Sequence, residues 1–188
     1  DGTAFLPQRT ILDRTVTDGA GRMHNLRIGV TGIVPPQVGD WNRPHLDGRL
    51  RFDNILPAIQ AQVAALRAEA ADIIVVLAHS GLGSLIESAR AENVAQLLAG
   101  LNGVDAVVAG HTHEVSPNTP PRPVAGVPIV QPGYHGSHLG CIDLSLTPPG
   151  QGAGGQNTWS VDGARAGTFP IQPDRPKGRE RRRRLLPD

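Results

Sequence analysis

A single cysteine, Cys141, excludes an internal disulfide framework and any zinc or iron–sulfur centre built from several thiolates. Aromatic residues make up only 3% of the 188 positions: Phe5, Phe52, Phe169, Trp41, Trp159 and Tyr134. No apolar run approaches the ~20 residues that a membrane-spanning helix requires. There is no internal repeat. The N-terminus, Asp1-Gly2-Thr3, shows neither Met nor a signal-peptide pattern, so the chain reads as processed or as cut from something longer. Glycine (23) and proline (17) are plentiful and imply many turns and short elements. With 39% apolar residues the chain can still build a core, and its length suffices for one domain.

The net charge of +1 conceals a split. Residues 175–188 carry seven basic groups against two acidic ones, a net of +5, whereas the other 174 residues carry 11 against 15, a net of −4. A mildly acidic body argues against a nucleic-acid platform. The tail, with Arg179 and Arg181 to Arg184, reads as a solvated, disordered end or as the result of a gene-level truncation or frame change. RNA binding through it is a third reading.

Residues 8–17 and 24–34 read as extended, with a hairpin turn at Asp18-Gly19-Ala20-Gly21 between them. Pro35-Pro36 ends the second strand, and residues 35–52 read as a loop. A helix follows, capped by Asp53 or Asn54, tolerating Pro57 in its first turn and turning Ile55, Ile59, Val63 and Leu66 inward. Ile73 to Leu77 is a continuous apolar run, the pattern of a strand covered on both faces. A second helix is expected over 84–100, with Val94, Leu97 and Leu98 facing inward. Short strands are expected at Val104 to Ala109, Val127 to Gln131 and Leu139 to Leu146, after a Pro-rich loop at 116–126. A Gly/Gln/Pro linker at 147–158 and a last strand at Thr158 to Val161 complete an α/β sandwich.

Histidines sit just after the buried strands. His79 follows the first, before Ser80-Gly81, and His111 and His113 follow the second, in Gly110-His111-Thr112-His113. In α/β sheets ligands gather beyond the carboxyl ends of the strands. Neutral imidazole ligates zinc, manganese or iron. Gly81 and Gly110 would let backbone come close to an ion or a phosphate. A lone His-x-His is a weak signal; two His-Gly or Gly-His elements, each capping a buried strand with a helix between them, point to metal ligation. His135 and His138 read as hydrogen-bonding or structural residues, His24 and His45 as solvated, Cys141 as a small core residue and Trp41 as an anchor of its own loop.

The run from Asp72 through His79 to Gly81, followed by Gly110-His111-Thr112-His113, resembles the second half of the calcineurin-like metallophosphoesterases, within them the 5′-nucleotidase superfamily. Glu92-Asn93, Gln131-Pro132-Gly133, Gly136 and Leu139-Gly140 are similar to that superfamily's pattern. Gly32-Ile33-Val34-Pro35-Pro36-Gln37, Trp41 and Leu46-Asp47-Gly48 resemble the 2′,3′-cyclic-nucleotide 2′-phosphodiesterase/3′-nucleotidase branch. The resemblance covers roughly residues 5–172. It implies an α/β fold that is half of a layered β-sandwich flanked by helices, the metallo-dependent phosphatase fold left incomplete. It further implies two divalent metal ions of the zinc, manganese, cobalt or magnesium kind, with His79 and His111 on one and His113 on the other. The reaction it implies is hydrolysis of 2′,3′-cyclic nucleotides and 3′-nucleotides by metal-bound hydroxide, in a periplasmic or extracellular setting.

The family's upstream Asp-x-His, Gly-Asp and Gly-Asn-His motifs have no counterpart here, so no catalytic residue is assignable. The C-terminal domain that stacks the base is not represented either. On this reading residues 1–146 are the C-terminal half of a catalytic domain, 147–174 a linker with the last strand, and 175–188 the tail. The partners implied are a nucleotide substrate, an N-terminal half and a nucleotide-binding domain, with no membrane. The alternatives are a catalytically inert remnant or weak metal-binding domain, and a 5′-nucleotidase.

Overall fold

The computed structural model describes residues 3–86, 91–151 and 158–171. The chain opens with an antiparallel hairpin, β1 (Arg9–Thr17) and β2 (Met23–Ile33), in register from Arg9 opposite Thr31 to Thr17 opposite Met23. The Asp18 carboxylate closes its turn by accepting the amides of Ala20 and Arg22, each at 2.9 Å. From β2 the sheet continues in parallel through β3 (Ile73–Ala78), β4 (Ala106–Ala109) and β7 (Ile129–Pro132). The two-residue β5 (Val115–Ser116) then pairs antiparallel with β7, giving the order β1-β2-β3-β4-β7-β5. A second, antiparallel sheet has the order β6 (Arg122–Val124), β9 (Ser160–Pro170), β8 (His138–Thr147).

The segment expected as loop over 35–52 winds into two single turns, α1 (Val38–Trp41) and α2 (Arg43–Leu46), the second opened by Pro44, whose fixed φ suits a first turn. The helix α3 (Ile55–Ala68) follows its apolar spacing, and Ile55, Ile59, Val63 and Leu66 are all buried. It ends with Ala70 in the left-handed region (φ 61°), while the amides of Ala70 and Ala71 reach back to the carbonyls of Arg67 and Leu66. The helix expected over 84–100 shrinks to α4 (Ala95–Ala99); residues 87–90 lie outside the described residues. The loop after β3 captures the donors that a longer helix would use. Ser80 Oγ takes the Val94 amide, and the Gly81 and Leu82 carbonyls take those of Ala95 and Gln96.

Helices α3 and α4 cover one face of the large sheet, burying Ile74, Val76, Ala78, Val107 and Ala109 in a continuous core with Val94 and Leu98. At about 25 cal/mol per Å² of apolar area, this layer is the main stabilising term of the fold. The opposite face is apolar too, but its cover is partial, contrary to the expectation for β3. Ile73 is buried, Val75 half-buried and Leu77 48% exposed. The second sheet lies against β7 and β5. Just before β9, Trp159 Nε1 donates to the Asn25 carbonyl of β2 at 3.1 Å. The carboxyl end of β3 is open on that side at Leu77.

The strand expected at 158–161 runs to Pro170 and is the centre of the second sheet. The Pro-rich loop likewise contributes β6 and the end of β5. Half of the expected linker, 152–157, and the whole basic tail, 175–188, lie outside the described residues.

Candidate metal site at the strand ends

Adjacent parallel strands β3 and β4 carry His79 and the Gly110–His113 turn to the same edge of the sheet. Ala78 pairs with Ala109, so the residues just beyond them are neighbours. The His79 amide bonds to the Ile33 carbonyl and the Gly110 amide to the Ser80 carbonyl, which fixes both turns to the sheet. His111 (φ 76°) and His113 (φ 62°) adopt a left-handed backbone that non-glycine residues rarely hold without surrounding constraint. Gly81 makes the close approach of the two turns possible. A Cβ there would press on the Thr112 side chain and lie 2.6 Å from Asn93 Oδ1. Gly110 needs no such allowance, since a Cβ would meet only the Ala78 carbonyl at 3.8 Å. At Gly81 the missing Cβ is therefore required by the packing of loop on loop.

Two of the three expected ligands come together. His111 Nδ1 lies 3.3 Å from His79 Nε2, with ring centroids 5.0 Å apart. His113 faces elsewhere, its ring stacked on Tyr134 at 4.8 Å and 16°. Among the described residues no three His, Cys, Asp or Glu side chains converge on a common metal position. A tetrahedral ion with bonds of 2.0–2.1 Å places its ligand atoms ~3.3 Å apart. The chemistry and spacing of the pair therefore fit two ligands of one divalent ion, and the described residues supply no others.

Three residues that bear on His111 were not legible as its neighbours. Glu92 Oε1 hydrogen-bonds to His111 Nε2. Trp41, expected to anchor its own loop, lies over the His111 ring at 5.4 Å and 20°. Ser80, fully buried, donates its hydroxyl to the Glu92 carbonyl and accepts the Val94 amide, both at 2.8 Å. Glu92 carried a signal as part of a recognisable motif, but sequence alone does not say which histidine lies against it.

The other histidines divide. His24, expected to be solvated, bonds to Asp18 at 2.9 Å and is only 19% exposed. The His24 ring and the Arg22 amide together hold the Asp18 carboxyl well below the usual carboxylate range. His45 is exposed in α2. His135 is exposed, and His138 Nδ1 pairs with Ser137 Oγ at 3.0 Å. Cys141 is half-buried on β8, where burial and the neighbouring Asp143 push its thiol pKa up, away from thiolate reactivity.

Comparison with known proteins places this geometry in context. No family model matches the chain. The 2′,3′-cyclic-nucleotide 2′-phosphodiesterase/3′-nucleotidase of Yersinia enterocolitica is 35% identical over 171 residues, covering 86% of this chain and 25% of the relative. The trifunctional nucleotide phosphoesterase protein YfkN of Bacillus subtilis is 33% identical over 147 residues, covering 72% of this chain and 10% of the relative. The solved calcineurin-like phosphoesterase YfkN from the same organism superposes with a TM-score of 0.79 at 28% identity, covering 90% of this chain and 52% of that one. A putative 5′-nucleotidase from Staphylococcus aureus shares the fold, with a TM-score of 0.57 at 23% identity over 87% of this chain and 30% of that one. The chain thus spans about a quarter of the length of the first of these relatives. Among the described residues no helix is long and apolar enough to cross a membrane.

Proposed function

The chain belongs to the calcineurin-like phosphoesterases of the 5′-nucleotidase superfamily, and from that premise we propose that it is the histidine-bearing part of a site hydrolysing 2′,3′-cyclic nucleotides and 3′-nucleotides. The observation that carries this reading is the pairing of His79 Nε2 and His111 Nδ1 at 3.3 Å, at the carboxyl ends of neighbouring parallel strands. His79 and His111 would hold one divalent cation. His113, turned away on Tyr134, would serve a second position. A divalent cation bound there supplies Lewis-acid polarisation of a phosphoryl oxygen.

The chain's own residues orient and shelter. Glu92 steadies His111 from its far nitrogen, Trp41 covers one face of its ring, and Ser80 ties the Glu92 backbone to the loop that bears His79. The site opens to solvent beside Leu77, which leaves room for a further element to complete it. A piece of a longer enzyme and an exported, periplasmic setting belong to the same proposal; the second rests on resemblance alone.

A specific observation favours a second reading for the chain on its own. Two imidazoles are fewer than the ligands a catalytic ion needs, so the isolated chain would bind a cation weakly and turn over nothing. Purified chain is assayed on 2′,3′-cyclic AMP and bis-p-nitrophenyl phosphate with added manganese or zinc, alongside zinc binding by calorimetry. The expected result is zinc binding lost in His79→Ala and His111→Ala, with little turnover. Robust turnover abolished by His111→Ala would overturn the silent reading. Zinc binding untouched by both substitutions would overturn the assignment of the pair.

A further inference from the structure

We infer that Glu92 is a positioning residue: its carboxylate takes the Nε2–H of His111, fixes that tautomer and leaves Nδ1 bare toward His79. A carboxylate offers only acceptors at neutral pH, so the His111 nitrogen facing it must donate. A neutral imidazole carries one N–H, so the lone pair is then on Nδ1, the atom 3.3 Å from His79 Nε2. Two lone pairs do not face each other at that distance. With no ion between them, His79 donates Nε2–H to His111. To hold a divalent ion together with His111, His79 would need its Nε2 bare as well and would carry its proton on Nδ1.

The arrangement is held from the backbone. Ser80 Oγ grips the Glu92 carbonyl and the Val94 amide, and Asn93 Oδ1 accepts the Gly81 amide at 3.0 Å. The loop that carries His79 thereby sets the position of the residue that orients His111. The Trp41 ring, nearly parallel to that of His111, opposes rotation of the imidazole out of this plane. Nineteen residues separate Glu92 from His111 along the chain, so the pairing is a product of the fold.

The inference rests on the proposed metal reading only for its second measurement. The first is the tautomer itself, read from two-bond 1H–15N correlation spectra of the metal-free, 15N-labelled full chain at a pH of about 8, where imidazole is neutral. His111 is assigned by its loss in His111→Gln. The expected result is an Nε2–H tautomer in the wild type, retained in Glu92→Gln, whose amide oxygen also accepts. Glu92→Ala should instead show a measurable Nδ1–H fraction. An Nδ1–H tautomer in the wild type, or a Glu92→Ala spectrum identical to wild type, overturns the inference. If Glu92→Ala fails to fold by circular dichroism, the wild type and Glu92→Gln decide.

The second measurement is zinc affinity. Glu92→Ala should weaken it about 10- to 100-fold, the usual loss when a ligand's hydrogen-bonding partner is removed. His45→Ala, exposed on α2, should leave it unchanged. Equal affinity in Glu92→Ala and wild type refutes the positioning role. A wild type that binds no zinc refutes the metal reading, while the tautomer still decides the role of Glu92.

Discussion

Ser80→Ala removes one oxygen and strands two backbone groups. The hydroxyl donates to the Glu92 carbonyl and accepts the Val94 amide, each at 2.8 Å, and both Ser80 and Val94 are 0% exposed. Water has no free path to the Val94 amide while the loop stays closed, so the loss is that of buried groups left unpaired, about 1–3 kcal/mol each. The Glu92 carbonyl lies nearer the surface and can rehydrate in part, which brings the total to about 2–4 kcal/mol. For a domain of this size that corresponds to a fall in melting temperature of roughly 5–15 °C. The assay is urea and thermal unfolding by circular dichroism, with a lowered midpoint and an unchanged denaturant slope marking a loss of native stability. Release of the Glu92 backbone should also loosen its hold on His111, so zinc affinity should fall together with stability. A melting temperature within about 1 °C of wild type would refute the account, because it would mean that these groups find other partners at no cost.

Arg67 donates to the carbonyls of Ala71, Asp72 and Gly103 and to Asp105 Oδ2, at 2.7 to 2.9 Å. Because its side chain is 35% exposed, Arg67→Ala should cost about 2 kcal/mol in urea unfolding rather than the ~4 of four fully buried bonds, with Arg67→Lys intermediate. Ala70→Gly should raise stability by up to about 1 kcal/mol, since glycine holds a φ of 61° without steric penalty; a destabilised variant would show that the site is not strained. The lowered Asp18 pKa means that its stabilisation is complete above the ordinary carboxylate value of ~4 and is lost as the pH falls below it toward the folded value. Asp18→Asn should therefore flatten the acid limb of the stability–pH curve, and an unchanged limb would refute that sign.

The parts legible in the sequence are those whose pattern is set by burial against a regular element. Ile55, Ile59, Val63 and Leu66 mark one face of α3, and Ile73 to Leu77 mark a strand. The strand β9 was only partly legible because its core positions are small. Ala164, Ala166, Gly167 and Thr168 are buried under a backbone that passes so close to Gly167 that a Cβ would lie 2.5 Å from the Thr119 carbonyl oxygen. Small residues in close contact leave no apolar alternation to read. The length of α4 is hidden in the sequence for a different reason. Its apolar spacing continues upstream, but Ser80 and Asn93 hold 92–94 by side-chain bonds, which no periodicity records. At the site, His79 and His111 were identifiable by their place after strands. The rotation of His113 onto Tyr134 depends on a loop twenty residues away.

The half-open face of β3 also sets the dielectric around the histidine pair. Leu77 is 48% exposed two residues before His79, so a cation between the two imidazoles would keep bulk water on one side. Its attraction for an incoming phosphate would be that of a surface charge, screened over ~8 Å at physiological ionic strength. Buffer anions and salt should compete with it accordingly. An element laid over Val75 and Leu77 would displace that water and lengthen the reach of the same charge, with no change in either histidine.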